Sequence, residues 1–390
     1  MRHVIYIKNG TTATMGPEGI IPDGGVLIED GKITKVGEIG DLPEGCETVD
    51  VCGGFIMPGI IDAHSHIGIF ESGIGEAGVD GNETNDPITP QMRALDGIYP
   101  LDPEFERAYQ AGVTCVATGP GSGNPIGGQF LAMKTKGRTM EDMVVKEPLA
   151  MKMAFGENPK NAHGQNRTPS TRMGVAAVIR ETLYQAKEYA ERKERAGNDP
   201  DKRPAFDMKL EALIPVVKGE LLVKAHAHRA DDIMTAIRIA EEFGLRMTIE
   251  HATEGHLIAE KLAEKQYGVI LGPYTGFPHK NEVRRQDESA AGILERAGVK
   301  TAVMTDLPGM HEENLIVCAG ICHRKGMSEE GALKAVTIHA AELLGLSERI
   351  GSLEPGKDAD VAVFNKNPVT CLDAECILTV IDGEIVYRKQ

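Results

Sequence analysis

Apolar and polar positions change rhythm twice along this chain. The first fifty residues read as short strands joined by tight turns. "VIYIKNG" is strand-like and closes on Asn9-Gly10, a strong turn signal. "GVLIEDGKITKVGEI" gives two strands around Asp30-Gly31, a hairpin pattern. From Phe55 onward, strand-like runs alternate with helical periods. The strand candidates are "FIMPGIIDAHSH", "GVTCVATG", "QFLAMKT", "LAMKMAF", "LLVKAHAH", "RMTIEHA", "YGVILGP" and "VKTAVMTD". Helical periods between them include "DPEFERAYQAG", "ADDIMTAIRIAEEFG" and "ESAAGILERAG", and many end in glycine just before the next strand, as C-caps do. Past Gly345 the chain turns β-rich again, and Asp382-Gly383 marks another hairpin.

Eight strands alternating with helices predict an α/β fold, a (β/α)8 TIM barrel. A doubly wound sheet is the main rival, but no G-x-G-x-x-G phosphate loop follows the first strand-like segment. The β-rich ends are expected to combine into one small β-sandwich domain with the barrel inserted between them. The predicted boundaries are residues 1–57, 58–347 and 348–390.

Composition narrows the function classes. The chain has 390 residues, 41% hydrophobic and 26% charged, enough for a sizeable core. A net charge of −16 disfavours nucleic acid and anionic membrane as partners, which need a basic footprint. The short apolar run at the N-terminus reads as a strand rather than a leader, and no run is long enough to span a bilayer. Seven cysteines without regular spacing read as reduced thiols of a cytoplasmic protein. "CAGICH" (Cys318 to His323) reads as buried helix cysteines rather than metal ligands. The charged helix around Tyr184 to Lys193 reads as a solvated face.

Candidate chemistry concentrates where such a barrel carries its active site, at the C-terminal ends of the strands. Strand one ends in His64 and His66, strand five in His226 and His228, strand six in His251 and strand eight in Asp306. Residues i and i+2 of a strand share a face, so His64 and His66 can grip one ion. Imidazole and carboxylate suit zinc, and also iron or manganese. One His-x-His alone would be an even choice between ligands and ordinary strand-end histidines. Ligand types at four separate strand ends favour a metal site.

These residues carry a family resemblance. "VDVCGGFIMPGIIDAHSH" resembles the first-strand signature of the amidohydrolase superfamily. "EPGKDADVAVF" resembles the tail with which many members resume the β-sandwich. "VKAHAHRAD", "TIEHATEG" and "VMTDLPG" resemble the fifth-, sixth- and eighth-strand sites. Within the superfamily the chain is most similar to imidazolonepropionase-like amidohydrolases and related dipeptidases. The resemblance implies that His64, His66, His226 and His251 bind a divalent metal, one ion or two. It implies that Asp306 binds the metal, holds the nucleophilic water and shuttles its proton. His228 is expected to polarise the substrate, with a hydrogen bond to a ligand as the alternative. For strand four, members use either a carboxylated lysine or a glutamate, and the chain offers Lys152 and Glu157. Glu157, at the strand end, is favoured.

The implied activity is hydrolysis of an amide, cyclic amide or dipeptide-like C–N bond in a small molecule. A deaminase of a small heterocycle and a non-catalytic scaffold of the same fold are the alternatives. Folds of this kind often self-associate, so a homo-oligomer is an open expectation. Around the site, the loop Gly119 to Gln129 is read as an anion cradle, a support for Asn124 near the metals, or a plain turn. Tyr274 and His279 follow strand seven and could touch substrate. Arg229 is read as either a partner for a substrate carboxylate or a helix cap.

Overall fold

The computed structural model describes residues 3–165, 168–274 and 280–389. The chain opens with β1 (Val4–Ala13), β2 (Ile20–Glu29), β3 (Lys32–Val36), β4 (Glu47–Asp50) and β5 (Phe55–Pro58). Eight strands then form a second sheet: β6 (Ile60–Ser65), β7 (Val113–Thr118), β8 (Ile126–Lys134), β9 (Val144–Ala154), β10 (Leu222–Ala227), β11 (Met247–His251), β12 (Val269–Leu271) and β13 (Thr301–Val303). β14 (Val361–Phe364), β15 (Cys376–Ile381) and β16 (Glu384–Arg388) close the chain.

Both chain ends share one sheet, in the order β16-β15-β14-β5-β1-β2-β3 with β4 beside β1. The joint is the antiparallel pairing of β14 with β5, Val361 opposite Pro58 and Phe364 opposite Phe55. Alternating residues of both ends build one core, including Ile5, Ile7, Val26, Ile28, Ile56, Val361, Val363 and Val380. Of the three expected turns, Asn9-Gly10 is instead an irregularity inside β1, which runs on to Ala13. The other two form, with positive φ at Asp30 (48°), Gly31 (81°), Asp382 (48°) and Gly383 (82°). They also touch each other: a Cβ on Gly383 would lie 2.6 Å from the Gly31 Cα. Glycine is therefore required there for close approach as well as for the turn.

The second sheet runs β6 to β13 in chain order. Seven of the predicted strands form as expected and the first divides at Gly59 between β5 of the end sheet and β6 of this one, but β8 is antiparallel to both β7 and β9. This departs from an all-parallel barrel. The physical reason is the link from β7 to β8, a short loop with no helix. A parallel crossover needs about a dozen residues or more, usually a helix. The seam between β13 and β6 is bridged rather than laddered. The Asp306 N–H donates to the His64 carbonyl at 3.2 Å. Asp62 accepts from the Thr305 N–H (2.9 Å) and hydroxyl (2.7 Å). The reversed strand also carries its last residue, Lys134, to the opposite end of the barrel from the strand-end histidines, against the end sheet.

Candidate metal centre

The alternation of each strand sets what faces the barrel axis. Asp62, His64 and His66 form one series, and Lys224, His226 and His228 another. Register places Lys152 opposite Lys224, and Ala154 opposite His226. Lys152 therefore sits one layer below the histidines, and its long stem carries the amine up to them. Its Nζ lies 3.0 Å from His64 Nε2. On β11, Thr248 and Glu250 occupy the axial positions, so His251 would face outward in a regular strand. Left-handed backbone at His251 (φ 68°) and Ala252 (φ 44°) turns the imidazole into the site. Asp306 is likewise left-handed (φ 52°). Two functional side chains are thus presented by backbone that costs on the order of 1–3 kcal/mol each and is held by the surrounding fold.

The result is two overlapping groups of ligand types, His64, His251 and Asp306, and His226, His228 and His251, with ligand atoms in each group within 4.8 Å of one another. Asp306 Oδ1 lies 3.5 Å from His64 Nε2 and 3.4 Å from His66 Nε2. Each imidazole is oriented by its second nitrogen or left with a free one. His64 Nδ1 pairs with Glu250 at 2.6 Å, His66 Nδ1 with the Gly119 carbonyl at 2.6 Å, and His251 Nδ1 with the Gly272 carbonyl at 3.0 Å. Such partners fix the tautomer and leave the other nitrogen's lone pair for a metal. His226 Nδ1 and His228 Nε2 are buried without a hydrogen-bond partner. The orphaned His226 Nδ1, among converging neutral imidazoles and the Asp306 carboxylate, is what a cation site requires, so the donor set fits a divalent metal.

Electrostatics agree. Burial, with Lys152 and Lys224 nearby, pushes His64 well below the usual imidazole range. Burial and neighbouring His251 do the same to His226 and His228. Burial lowers His251 to about 4, against the pull of Asp306. These imidazoles are neutral at pH 7 and offer lone pairs. Burial opposes ionisation of Asp306, but the facing His251 and His66 outweigh it and hold it at about 2. Burial brings Lys152 down to about 7, despite opposing attraction from Glu250 and Asp306.

The structure corrects one expectation. Glu157 does not join the cluster. It begins the helix Glu157–His163, after a turn at Gly156 (φ 85°) that leaves the strand direction. Its backbone N–H donates to Glu282 at 2.9 Å, and its side chain is not among those lining the cavity. Lys152 occupies the strand-four place instead. His64, His66, His226, His228, His251 and Asp306 all converge.

Sequence reasoning missed the layer beneath. Glu250 is fully buried and binds Lys224 Nζ at 2.8 Å as well as His64. Its signal was available: it shares the axial face with Thr248 in "TIEH". Glu282, 3.8 Å from His226 Nε2 and 3.7 Å from His228 Nε2, had no such signal because it lies on a loop turn. Above the cluster opens a cavity of about 640 Å³, walled by Phe70, Asn82, Ser122, Asn158, Lys280 and Gln286 among others. Of the glycine-rich loop, Gly121 and Ser122 reach the cavity, while Asn124 turns to Thr89 and His163. Arg229 takes neither expected role: it sits at the start of the helix Ala230–Phe243 without a side-chain capping bond, and its guanidinium pairs with Asp231 at 2.9 Å. Tyr274 is buried with Cys322 beside its hydroxyl. His279 lies outside the described residues. Cys318 and Cys322 are buried in the helix Leu315–Arg324, as expected. Among the described residues, no helix is long and apolar enough to cross a membrane.

An eight-stranded barrel with a His/Asp cluster at its mouth defines a metal-dependent hydrolase. The model of the amidohydrolase family matches residues 55–386, and the chain belongs to that family. It is a hydrolase acting on carbon–nitrogen bonds. An amidohydrolase structure from Thermotoga maritima MSB8 is 44% identical with a TM-score of 0.95, covering 99% of this chain and 100% of that one. Amidohydrolase tasK of Hapsidospora irregularis is 31% identical over 92% of this chain, which spans only 39% of that longer protein. An imidazolonepropionase of Porphyromonas gingivalis is 26% identical over 99% of this chain and 98% of its own length.

Proposed function

We propose that the chain hydrolyses an amide, cyclic amide or dipeptide-like bond of a small molecule, with Lys152 completing a two-ion centre. The observation that carries this reading is the Lys152 amine, fully buried, 3.0 Å from His64 and with a pKa near 7. A neutral amine adds to carbon dioxide, forming an N–C bond and releasing one proton. The resulting carbamate would supply Lys152 with the anionic oxygens that a cation centre needs. His64, His66 and Asp306 would hold one ion, and His226 and His251 the other. Two ligand clusters meeting at His251 support this reading, with His228 of the second cluster kept for the substrate, and the imidazole-rich set suits zinc, with iron or manganese compatible. Bound ions supply a water acidified from ~15.7 toward about 7 and a positive charge for the developing oxyanion.

The protein's own groups do the rest. Asp306, ionised at neutral pH, accepts the proton of the attacking water and returns it to the leaving nitrogen. His228 faces the cavity and donates to the substrate carbonyl as negative charge builds on it. The relationship to imidazolonepropionases supports a cyclic amide as substrate. The expected first domain boundary at 57/58 is supported to within two residues by β5 ending at Pro58 in one sheet and β6 beginning at Ile60 in the other. The shared core of the end sheet supports reading it as a folded sandwich. Seven free thiols support a cytoplasmic location.

The test is metal analysis of the purified protein with a panel of cyclic amides, ureides and dipeptides, read for both amide cleavage and ammonia. The reading expects stoichiometric divalent metal and a cleaved amide. Absence of bound metal, or full turnover by His64→Ala and Asp306→Asn, would sink it. Ammonia from a heterocycle would move the activity to a deaminase.

A further inference from the structure

A buried carboxylate that the mechanism does not use stands behind the strand-five histidines. Glu282 is 1% exposed, and its Oε1 faces two imidazoles, 3.7 Å from His228 Nε2 and 3.8 Å from His226 Nε2. Its placement is built from several sides. The other oxygen, Oε2, accepts from the Glu157 N–H at 2.9 Å and has Arg172 Nη2 at 3.8 Å. Arg172 is itself anchored to Asp232 at 2.9 Å. Lys280 Nζ lies 2.8 Å from Oε1 and also reaches Asn158 Oδ1 at 3.0 Å. Room for the carboxylate depends on Gly156, where a Cβ would come within 2.6 Å of Oε2. Glu282 does not itself line the cavity, whereas His228 does.

His228 has one committed nitrogen. Its Nδ1 is 2.7 Å from the Thr253 hydroxyl, and its Nε2 is buried with no hydrogen-bond partner. A neutral imidazole has one N–H, and which nitrogen carries it decides whether His228 can donate to an oxyanion. A carboxylate facing Nε2 favours the proton on Nε2. Thr253 can then donate its O–H to the Nδ1 lone pair, so both contacts are satisfied by the same tautomer.

We propose that Glu282 is a positioning residue that holds His228 in the Nε2–H tautomer, keeping an unpaired donor aimed at the carbonyl to be cleaved. The inference rests on the substrate-polarising role given to His228 above. Glu282 acts through His228 and touches neither substrate nor the reacting atoms.

The experiment pairs ring nitrogen-15 NMR of the metal-free protein with a double-mutant cycle. In the wild type, the His228 resonances should show a protonated Nε2. Glu282→Gln keeps the volume, removes the charge and can turn an amide N–H toward Nε2. It should shift His228 toward the Nδ1–H form and lower kcat by about 10–100-fold, less than the upper end of the ~10²–10³ that losing an oxyanion donor outright costs. KM and metal content should stay within about twofold. In a His228→Ala background the same substitution should cost nothing further, because its effect passes through His228. A wild-type His228 with the proton on Nδ1 would overturn the proposal, even if the variant failed to fold. So would a folded Glu282→Gln with unchanged kcat, or an equal loss in both backgrounds. A protein that binds no metal, or a His228→Ala variant with full kcat, would instead overturn the reading on which the proposal stands.

Discussion

Two lysines lie buried in this barrel, one at each end, and they are opposites. Lys152 and Lys134 are both almost inaccessible, at 0% and 2% exposure. Burial lowers Lys152 to about 7. For Lys134, burial pushes the same way, but Asp360 and Asp382 more than reverse it, and the pKa rises. The difference is in the immediate partners. Lys134 touches Asp360 at 2.6 Å, Asp382 at 2.9 Å and Asp358 at 3.3 Å. Lys152 has a neutral imidazole at 3.0 Å, and Glu250, the buried carboxylate below, is taken by Lys224 and His64. Desolvation alone makes a lysine reactive, and desolvation with matched carboxylates makes it a permanent cation. One end of the barrel is built for chemistry, and the other ties the barrel to the sheet formed by the chain ends.

The sharpest contrast comes from removing function at one end and structure at the other. Asp306→Asn should lower kcat/KM by about 10²–10⁴-fold, the range of a lost general base. Steady-state kinetics on the metal-loaded protein check this. Lys134→Met leaves Asp360 buried without its cation and should destabilise the protein by about 3–5 kcal/mol. Lys152→Met should leave the metal-free fold unchanged or more stable, because it replaces an uncomfortable buried amine with an apolar chain. Denaturant unfolding of the two variants side by side would erase the contrast if both fell equally.

A more gradual effect follows from pH. The folded pKa of Lys152 lies below its unfolded value, so the unfolded chain binds the extra proton between about pH 7 and pH 10.4. Stability of the metal-free protein should therefore rise with pH across that window, by up to about 1.4 kcal/mol per unit relative to Lys152→Met. Below pH 7 the folded protein carries the buried charge and its full penalty. The same ionisation governs carbamate formation. At a fixed concentration of dissolved carbon dioxide, reconstitution with zinc should run about tenfold faster at pH 8 than at pH 6, following the neutral fraction of Lys152. The smallest effect is expected for Asp382→Asn, whose side chain is half exposed, at roughly 1 kcal/mol or less.

Much of this was legible in the sequence. All eight barrel strands, the joining of the two ends and six converging site residues follow from periodicity, turn signals and the family resemblance. The reversal of β8 was missed because a two-residue alternation reads the same in either direction, although the short helix-free link after β7 already argued against a parallel crossover. Lys152 was passed over for Glu157 because a strand-end position looked the right height. The fold turns the chain away at Gly156, and four methylenes raise the lysine from the layer below. Glu250 could have been found from its axial alternation with Thr248. Glu282 could not, since only the folded loop brings it to His226 and His228.

The central claim is that Lys152, as a carbamate, supplies the strand-four ligand. The most direct measurement is carbon-13 NMR of protein reconstituted with zinc and ¹³C-bicarbonate. The account predicts a carbamate resonance that persists in Glu157→Gln and is absent from Lys152→Met. A metal-loaded, active protein with no carbamate signal, or a metal centre abolished by Glu157→Gln and kept by Lys152→Met, would contradict it.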